Sequence, residues 1–382
     1  MASRRIARRT ICSIAVAGLL AQSDVAGAQG VIHVRPLFSI GQAYDSNLFF
    51  SSVDRQEDFV TRTTPGLESE FRSPVLSLLG RYTQDIERYA DHPDLNSVNT
   101  REHATVESTY QPARRLTVTT GAEFAKTQTP GELSVETGFT FARAAAQRLT
   151  ARSSVVGQLS RITTGRMEYT FTADHLAGTV GIRSHIAALS ADHALSSRDT
   201  VIVGYRVQQF LFGTGGVQSV STTSHTLHAG WTRAVSNRVR FSIDGGPQLA
   251  NGVPAADVSA SLHYHVRPID LSLAYERRQT TIFGFTGTAL TQSVTGSALW
   301  TFLRPSLQVQ VSPAYFRSVH PLLRGDVYRL GVDVGHRIAR GLSVGLALDM
   351  NLQRNRDAML TRTDVPHRMA MIRLVAAPVG RH

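Results

Sequence analysis

The sequence predicts an all-β fold, a transmembrane antiparallel β-barrel of about 18 strands (roughly 16–18) after a cleaved signal peptide, on three observations. Short stretches of apolar/polar alternation recur from Val31 almost to the C-terminus. Tight, arginine-bearing turns and longer polar loops join them alternately. Past the leader, no apolar run approaches the ~18–20 residues that a spanning helix needs. In lipid only helices and closed barrels satisfy every backbone group, so a membrane reading of this chain requires a closed barrel.

The leader comes first. Arg4, Arg5, Arg8 and Arg9 precede an apolar run from Ile11 to Leu20, and Ala26-Gly27-Ala28 offers a small-x-small site for cleavage between Ala28 and Gln29, the three-part pattern of a secretory signal. The expected division is a signal peptide over residues 1–28 and a barrel over residues 29–382. Cys12, the only cysteine, lies in the apolar run without a Leu-x-x-Cys context, so lipidation is not expected there. The mature chain then has neither disulfides nor a thiolate metal site. With 42% hydrophobic and 18% charged positions, the 382 residues are too apolar for disorder. The formal charge of +11 falls to +8 without the leader, and the arginines are spread singly instead of forming a patch, which argues against nucleic acid as a partner. Lys126 is the only lysine.

Val31 to Phe50 is the first strand and its tip. Ile32, Val34, Phe38 and Ile40 fall on one parity and His33, Arg35, Ser39 and Gly41 on the other, a strand with one oily and one wet face. Asp45, Ser46 and Asn47 hydrogen-bond their own backbone readily in turns, so the strand should end there. The clearest strands come late: Leu342, Val344, Leu346, Leu348, Met350 and Leu352 alternate with Ser343, Gly345, Ala347, Asp349, Asn351 and Gln353. Leu307 to Ser312, Tyr328 to Gly335 and Val258 to His265 alternate in the same way.

Tight turns are expected at Arg72-Ser73-Pro74, Pro112-Ala113-Arg114, Ser160 to Thr163, Ser196 to Asp199, Ser236-Asn237-Arg238, Arg267-Pro268, Arg304-Pro305 and Ala339-Arg340-Gly341. Each interval between them holds one up-strand, one long loop and one down-strand, which with a strand at either end makes about 18 strands and places both termini on the periplasmic side. The long, extracellular loops are expected at Asp45 to Asp58, Ala90 to Thr100, Thr127 to Gln147, Gly213 to Ser224, Asn251 to Ala256, Phe283 to Thr288, His320 to Gly325 and Asn355 to Val365. Within Thr127 to Gln147, the run Thr137-Gly138-Phe139-Thr140-Phe141 fits either an extra strand or a loop hairpin. A soluble solenoid or propeller would repeat a motif at a fixed period, and this chain repeats pattern without repeating sequence. Tyr44, Phe59, Phe71, Tyr82, Tyr89, Tyr110, Tyr205, Trp231 and Trp300 near strand ends suit interfacial girdles.

If the apolar parity faces lipid, the other lines a lumen rich in both charges. Its expected lining includes Arg62, Glu68, Glu70 and Arg72; Arg81, Asp85 and Glu87; Arg101, His103 and Glu107; and, later, Arg206, Arg240, Asp244, Asp270, Glu276, Arg278, Arg329 and Asp333. Two readings stand side by side: a polar, water-filled passage with a transverse field, or a cross-strand salt-bridge lattice that blocks the interior.

No catalytic, cofactor or metal site is expected, and the chain does not read as an enzyme. Gly341-Leu342-Ser343-Val344-Gly345 matches the G-x-S-x-G elbow, but that motif needs a strand turning into a helix, and here a clean strand follows. Asp91, Asp94 and Asn96 lack the glycine and distal Glu of an EF-hand loop and fit an Asx-stabilised turn better. Gly213, Gly215 and Gly216 precede no helical pattern and suit a loop tip. His263 and His265 share a strand face without a third ligand.

Tyr44-Asp45-Ser46-Asn47-Leu48-Phe49, then Asp58-Phe59-Val60 and Thr64-Pro65-Gly66-Leu67, resembles the start of outer-membrane β-barrel proteins that accompany exopolysaccharide and exosortase systems. Ser197-Arg198-Asp199-Thr200 with Gly204-Tyr205-Arg206 is similar to that family's Ser-Pro-Arg-x-Thr turn and following strand. The resemblance implies a barrel linked to polysaccharide secretion or surface assembly, with polysaccharide export components as partners. One departure is the ending Pro378-Val379-Gly380-Arg381-His382, where such barrels commonly carry an aromatic residue read by the insertion machinery. The last strand, around Arg368 to Ala377, is accordingly the least clearly patterned.

The expected location is the outer membrane of a Gram-negative cell, with membrane lipid, lipopolysaccharide and the barrel-insertion machinery as surroundings. The expected role is a conduit or assembly component for surface polysaccharide, or a porin-like channel. A structural or adhesive barrel with a plugged lumen is the main alternative, and a lipid hydrolase a remote one.

Overall fold

The computed structural model describes residues 30–213, 220–302, 307–357 and 362–377. The expected signal peptide, the Ala28–Gln29 cleavage site, the turn at Arg304-Pro305 and the C-terminal Pro378 to His382 lie outside the described residues.

Eighteen strands follow one another. They are β1 (Val31–Asp45), β2 (Asp58–Arg72), β3 (Leu76–Tyr89), β4 (Ser97–Ala113), β5 (Leu116–Thr127), β6 (Ala146–Gln158), β7 (Thr163–Leu176), β8 (Gly181–Ala194) and β9 (Asp199–Gly213) in the first half. The second half holds β10 (Val220–Ala234), β11 (Val239–Ala250), β12 (Val253–Val266), β13 (Ile269–Thr281), β14 (Thr288–Thr301), β15 (Leu307–Val319), β16 (Leu323–Ala339), β17 (Leu342–Asp357) and β18 (Arg362–Ala376). Each strand pairs antiparallel with its sequence neighbours, and β18 returns to β1 from Phe38↔Ala376 to Asp45↔Met369, which closes the barrel. Closure removes both sheet edges, so the strands' backbone groups find partners around the ring.

The tight turns gather at one end. Ser73, Ser196 and Ser236 each accept hydrogen bonds from following backbone amides through Oγ, the local bonding for which serine is favoured in turns. The other end carries the longer connections, with three differences from expectation: His320 to Gly325 is no long loop, since β16 starts at Leu323 and His320 N donates to Leu323 O at 2.9 Å across a tight turn. Asn251 to Ala256 is not a loop: Asn251 and Gly252, with φ of 46° and 84°, make a two-residue turn and β12 starts at Val253, as an Asn-Gly pair permits. A further reversal at 177–180 joins β7 to β8. The last strand also begins earlier than Arg368, because Thr363 to His367 continue the ladder with β17.

The outward parity carries Ile32, Val34, Met167, Leu189, Val203, Leu227 and Leu346, each 43% exposed or more. A globular protein in water does not bare such a continuous apolar surface. The buried apolar residues are instead inside the barrel near the long-loop end. One cluster joins Phe139, Ile282, Ala289, Phe316 and Val327; a second Ala43, Leu48, Val60 and Tyr89; a third Leu133, Ala146, Leu176 and Phe283. Tyr89, expected in an aromatic girdle, belongs to this interior. It pairs with Val60, whose parity faces inward, and its hydroxyl donates to Glu87 at 2.7 Å. No helix among the described residues is long and apolar enough to cross a membrane.

Candidate functional site: a loop folded across the lumen

The interior clusters exist because the β5–β6 connection, residues 128–145, folds into the barrel. Thr137 to Phe141 is therefore not a spanning strand. The loop opens on a 3-10 turn at Pro130–Glu132, where Thr127 Oγ1 donates to Glu132 Oε2 at 2.8 Å. Ala144 N donates to the Gln128 carbonyl at 3.0 Å and closes the neck. Gly138, with φ of 65°, breaks the extended backbone, and a Cβ there would come within 2.5 Å of the Phe316 ring. Glycine is what lets the loop approach the wall.

Beyond that glycine, Phe139 is fully buried against β14, β15 and β16, and Gly325 on β16 leaves room for its ring. Thr140 donates from N and Oγ1 to Gln353 Oε1 on β17, at 2.6 and 3.0 Å. Glu136 accepts from Thr280 on β13. On the opposite wall, Arg143 donates to Tyr89 OH at 2.7 Å, and Arg101 on β4 meets Glu132 at 2.5 Å. Arg148 makes a bidentate pair with Asp174, at 2.6 and 2.7 Å, and donates to the Leu133 carbonyl. The loop is thus held by β3 and β4 on one side and β13 to β17 on the other.

Glu87, 1% exposed, receives Arg62 at 2.9 Å, Arg101 at 3.1 Å and Arg143 at 3.9 Å. A buried carboxylate is tolerable only when paired and hydrogen-bonded, and here several partners share the work. Most other expected lining residues stand in cross-strand or same-strand pairs. Glu68 and Glu70 meet Arg35 at 3.5 and 3.2 Å, and Arg72 also contacts Glu70. Asp85 meets Arg62, Glu107 meets Arg152, Arg206 meets Asp257, Asp244 meets His228, and Arg329 meets Asp349. Glu276 meets Arg278, Asp270 contacts His265, and His103 meets Glu123. By contrast Arg81, Arg240 and Asp333 have no ion-pair partner among the described residues, and the same is true of Arg337 and Arg373.

The spaces follow this division. Toward the tight-turn end lie cavities of about 830 Å³, lined in part by Gln308, Asp333, Arg337 and Arg373, and about 580 Å³, lined in part by Arg35, Arg81, Asp85 and Arg373. At the level of the loop the space is about 80 Å³, bounded by Phe50, Tyr89, Arg101, Glu132, Arg143 and His367 among others.

Several interior residues escape sequence reasoning. Arg143, Glu132 and Phe139 sit in a loop whose route depends on distant strands. The signal for them is indirect: Phe316 and Val327 are large apolar residues on the wet parity near the long-loop end, and Phe139 covers them. The remaining motifs resolve simply. Ser343 lies on β17, which continues as a strand past the Gly341 turn, so the helix required by the G-x-S-x-G elbow does not form. Asn96 Oδ1 accepts from Tyr89 N at 2.8 Å, seven residues back, which is not an Asx turn, and the amides of Ala90, Asp91 and His92 donate instead to the Asp58 carboxylate. Gly213 ends β9, and Gly215 and Gly216 lie outside the described residues. His263 and His265 belong to no metal-sized group of His, Cys, Asp or Glu among the described residues.

Fold and site together define a closed β-barrel whose lumen is narrowed by one of its own loops. No family model and no curated protein matches the chain. Among solved structures it is similar to the ferric enterobactin receptor PfeA of Pseudomonas aeruginosa, at 8% identity and TM-score 0.46 over 90% of this chain and 80% of that one. It is also similar to the siderophore receptor PirA of Acinetobacter baumannii, at 7% identity and TM-score 0.46 over 90% and 80%. A third is OpdO of Pseudomonas aeruginosa, at 11% identity and TM-score 0.45 over 90% and 96%.

Proposed function

We propose that this chain is an outer-membrane barrel that passes small hydrophilic anions through a lumen narrowed by the β5–β6 loop. The observation that carries the reading is the loop itself, pinned to opposite walls with about 80 Å³ beside it and far larger spaces toward the tight-turn end. A space of that size holds about five waters, which suits small solutes passing one at a time. The sign preference follows from the wall. Most luminal charges cancel in pairs, while Arg81, Arg240, Arg337 and Arg373 face Asp333 as the one unpaired acid on the described inward-facing strand positions, and fixed excess charge in a narrow passage favours the opposite ion. The role is transport and not catalysis.

Surface-polysaccharide handling, implied by the resemblance at Tyr44 to Phe49, is a second reading. Its support is positional: Leu48 and Phe50, in and just after that run, line the constriction. A glycan chain would require the loop to leave the lumen.

Planar bilayers test the proposal. Purified protein should give small, stepwise, anion-selective currents, and deletion of residues 129–143 should enlarge each step severalfold. Silence from both proteins would favour a plugged, adhesive barrel, and steps that ignore the deletion would remove the loop from the path.

A further inference from the structure

The outer wall carries a feature that the channel does not use. On β15 the outward residues Leu307, Val309, Val311, Pro313 and Tyr315 form an apolar stripe that spans nine positions, which at ~3.3 Å per residue and ~40° tilt covers about 23 Å, close to a membrane barrel's apolar band. Its upper border is aromatic, with Tyr275, Tyr315 and Tyr328 on nearby strands in one row, Tyr315 directly opposite Tyr328. One step higher, toward the long-loop end, the ladder aligns Arg277↔Gln292↔Arg317↔Asp326↔Arg354↔Asp364 across six strands.

The acids of this row are already engaged. Asp326 accepts from Tyr315 OH at 2.7 Å, and Asp364 faces Arg354 at 3.7 Å. Arg277 and Arg317 have no ion-pair partner among the described residues, and Arg277 Nε is buried without an acceptor. They flank Gln292 two strands apart, about 10 Å between backbones, so both guanidiniums can converge on one anion.

Directly above, the wall is open. The β12–β13 ladder stops at Val258↔Arg277, although β11–β12 continues to Ala250↔Val253 and β13–β14 to Thr281↔Thr288. The gap holds a cavity of about 380 Å³ lined by Gln248, Asn251, Gln279, Thr288, Leu290 and Val319 among others. Gln248, 2% exposed, bridges Ser224 and Gln279 through Nε2 at the floor of this cavity, and its buried Oε1 has no donor.

We infer that this surface binds the headgroup of a phosphorylated glycolipid of the outer leaflet. Arg277 and Arg317 take a phosphate, the amide-lined notch takes the attached sugar, whose hydroxyls supply the donor that Gln248 Oε1 lacks, and the acyl chains lie against the apolar wall below. A phospholipid headgroup would satisfy the arginines but leave the notch unfilled. The inference rests on the outer-membrane reading and is independent of conductance.

The test uses the full chain in detergent, delipidated and titrated with diphosphorylated lipid A, dephosphorylated lipid A or phosphatidylglycerol, with bound lipid read by native mass spectrometry. Diphosphorylated lipid A should bind at least about tenfold more tightly than either competitor, the scale of one charge-assisted hydrogen bond. Arg317→Gln, at an exposed position, should lose about that factor, the Arg277→Gln/Arg317→Gln pair the whole preference, and Arg81→Gln none of it. Equal binding of the three lipids, or an unchanged preference in Arg317→Gln, would overturn the inference. Migration on unheated gels separates the two failures: wild-type protein that is not heat-modifiable would sink the barrel reading and this inference with it, whereas heat-modifiable protein without lipid discrimination sinks this inference alone.

Discussion

Arg101 on the barrel wall and Glu132 on the luminal loop are 2.5 Å apart, and the same guanidinium lies 3.1 Å from the buried Glu87. Loop position and wall electrostatics are therefore joined through one side chain. Glu132→Gln separates them, because it removes the loop's charge without orphaning Glu87, which keeps Arg62 at 2.9 Å. The expected outcome is a noisier channel with more frequent larger openings and an unchanged temperature of heat modification. Single-channel traces indistinguishable from wild type would show that the pair does not hold the loop.

Phe139 supplies the apolar anchor on the other wall. Truncation of a fully buried Phe to Ala costs about 3–5 kcal/mol, and here the loss falls on loop docking, since the strands keep their own ladders. At about 3 kcal/mol the undocked population rises on the order of a hundredfold. Trypsin cleavage after Arg143, masked while that side chain is bound to Tyr89, should accelerate by a similar factor, and equal digestion rates would contradict the docking.

The strand pattern was legible because period-two alternation belongs to each strand alone. Leu342 to Leu352 shows it without reference to any neighbour, and by counting Arg62 and Glu68 share one parity of β2 as Asp85 and Glu87 share one parity of β3. Thr137 to Phe141 alternates just as a strand does. Only its contacts with Ile282, Phe316 and Val327, far away in sequence, decide that it lies inside. Tyr89 was misread for a related reason. An aromatic near a strand end suits a girdle or an interior equally, and its inward parity, together with Glu87 and Arg143, settles which. Local chemistry reports local structure, and a constriction built from distant segments leaves only the indirect trace of apolar residues on a polar face.

The unpaired luminal arginines lead to a selectivity prediction. Arg373 borders both larger cavities and Arg81 one of them. Arg81→Gln/Arg373→Gln should shift the reversal potential in a salt gradient toward zero, and the difference from wild type should shrink as salt rises, because the Debye length falls from ~10 Å at 0.1 M to ~3 Å at 1 M. A reversal potential that ignores both substitutions would assign the selectivity elsewhere.

Alternation itself has a direct check at adjacent positions. Leu346 is 43% exposed on the outward face, while Ala347 stands opposite Asp333 on the inward one. In separate single-cysteine proteins in vesicles, Leu346→Cys should react with lipid-soluble maleimides and resist polar ones, and Ala347→Cys should do the reverse. Equal labelling would mean that the two residues do not face different solvents.

The tip of β1 ties the barrel shut at its seam. Asn47 is fully buried, its Nδ2 donates to the carbonyls of Ser51 at 2.8 Å and Pro366 at 2.9 Å, and its Oδ1 accepts from Ser51 N at 2.9 Å. Beside it Ser46 N donates to Arg368 O, Arg368 N donates to Ser46 Oγ, and His367 Nε2 lies 3.0 Å from Asp45 Oδ1. Among the described residues the β1–β18 ladder runs from Phe38 to Asp45, and these tip bonds carry the closure on past Asp45 at the long-loop end. Asn47→Ala strands two carbonyls and an amide in a site without room for full hydration, each worth about 1–3 kcal/mol. Asn47→Asp keeps the acceptor for Ser51 N but sets a carboxylate against both carbonyls. Both variants should convert to the unfolded gel form at lower temperature than wild type, with Asp at least as affected as Ala. A substitution on the outward face away from the seam, such as Leu189→Ala, should lower that temperature less. If Asn47→Ala melts with wild type, closure rests on the eight-residue ladder alone and the tip is dispensable to it.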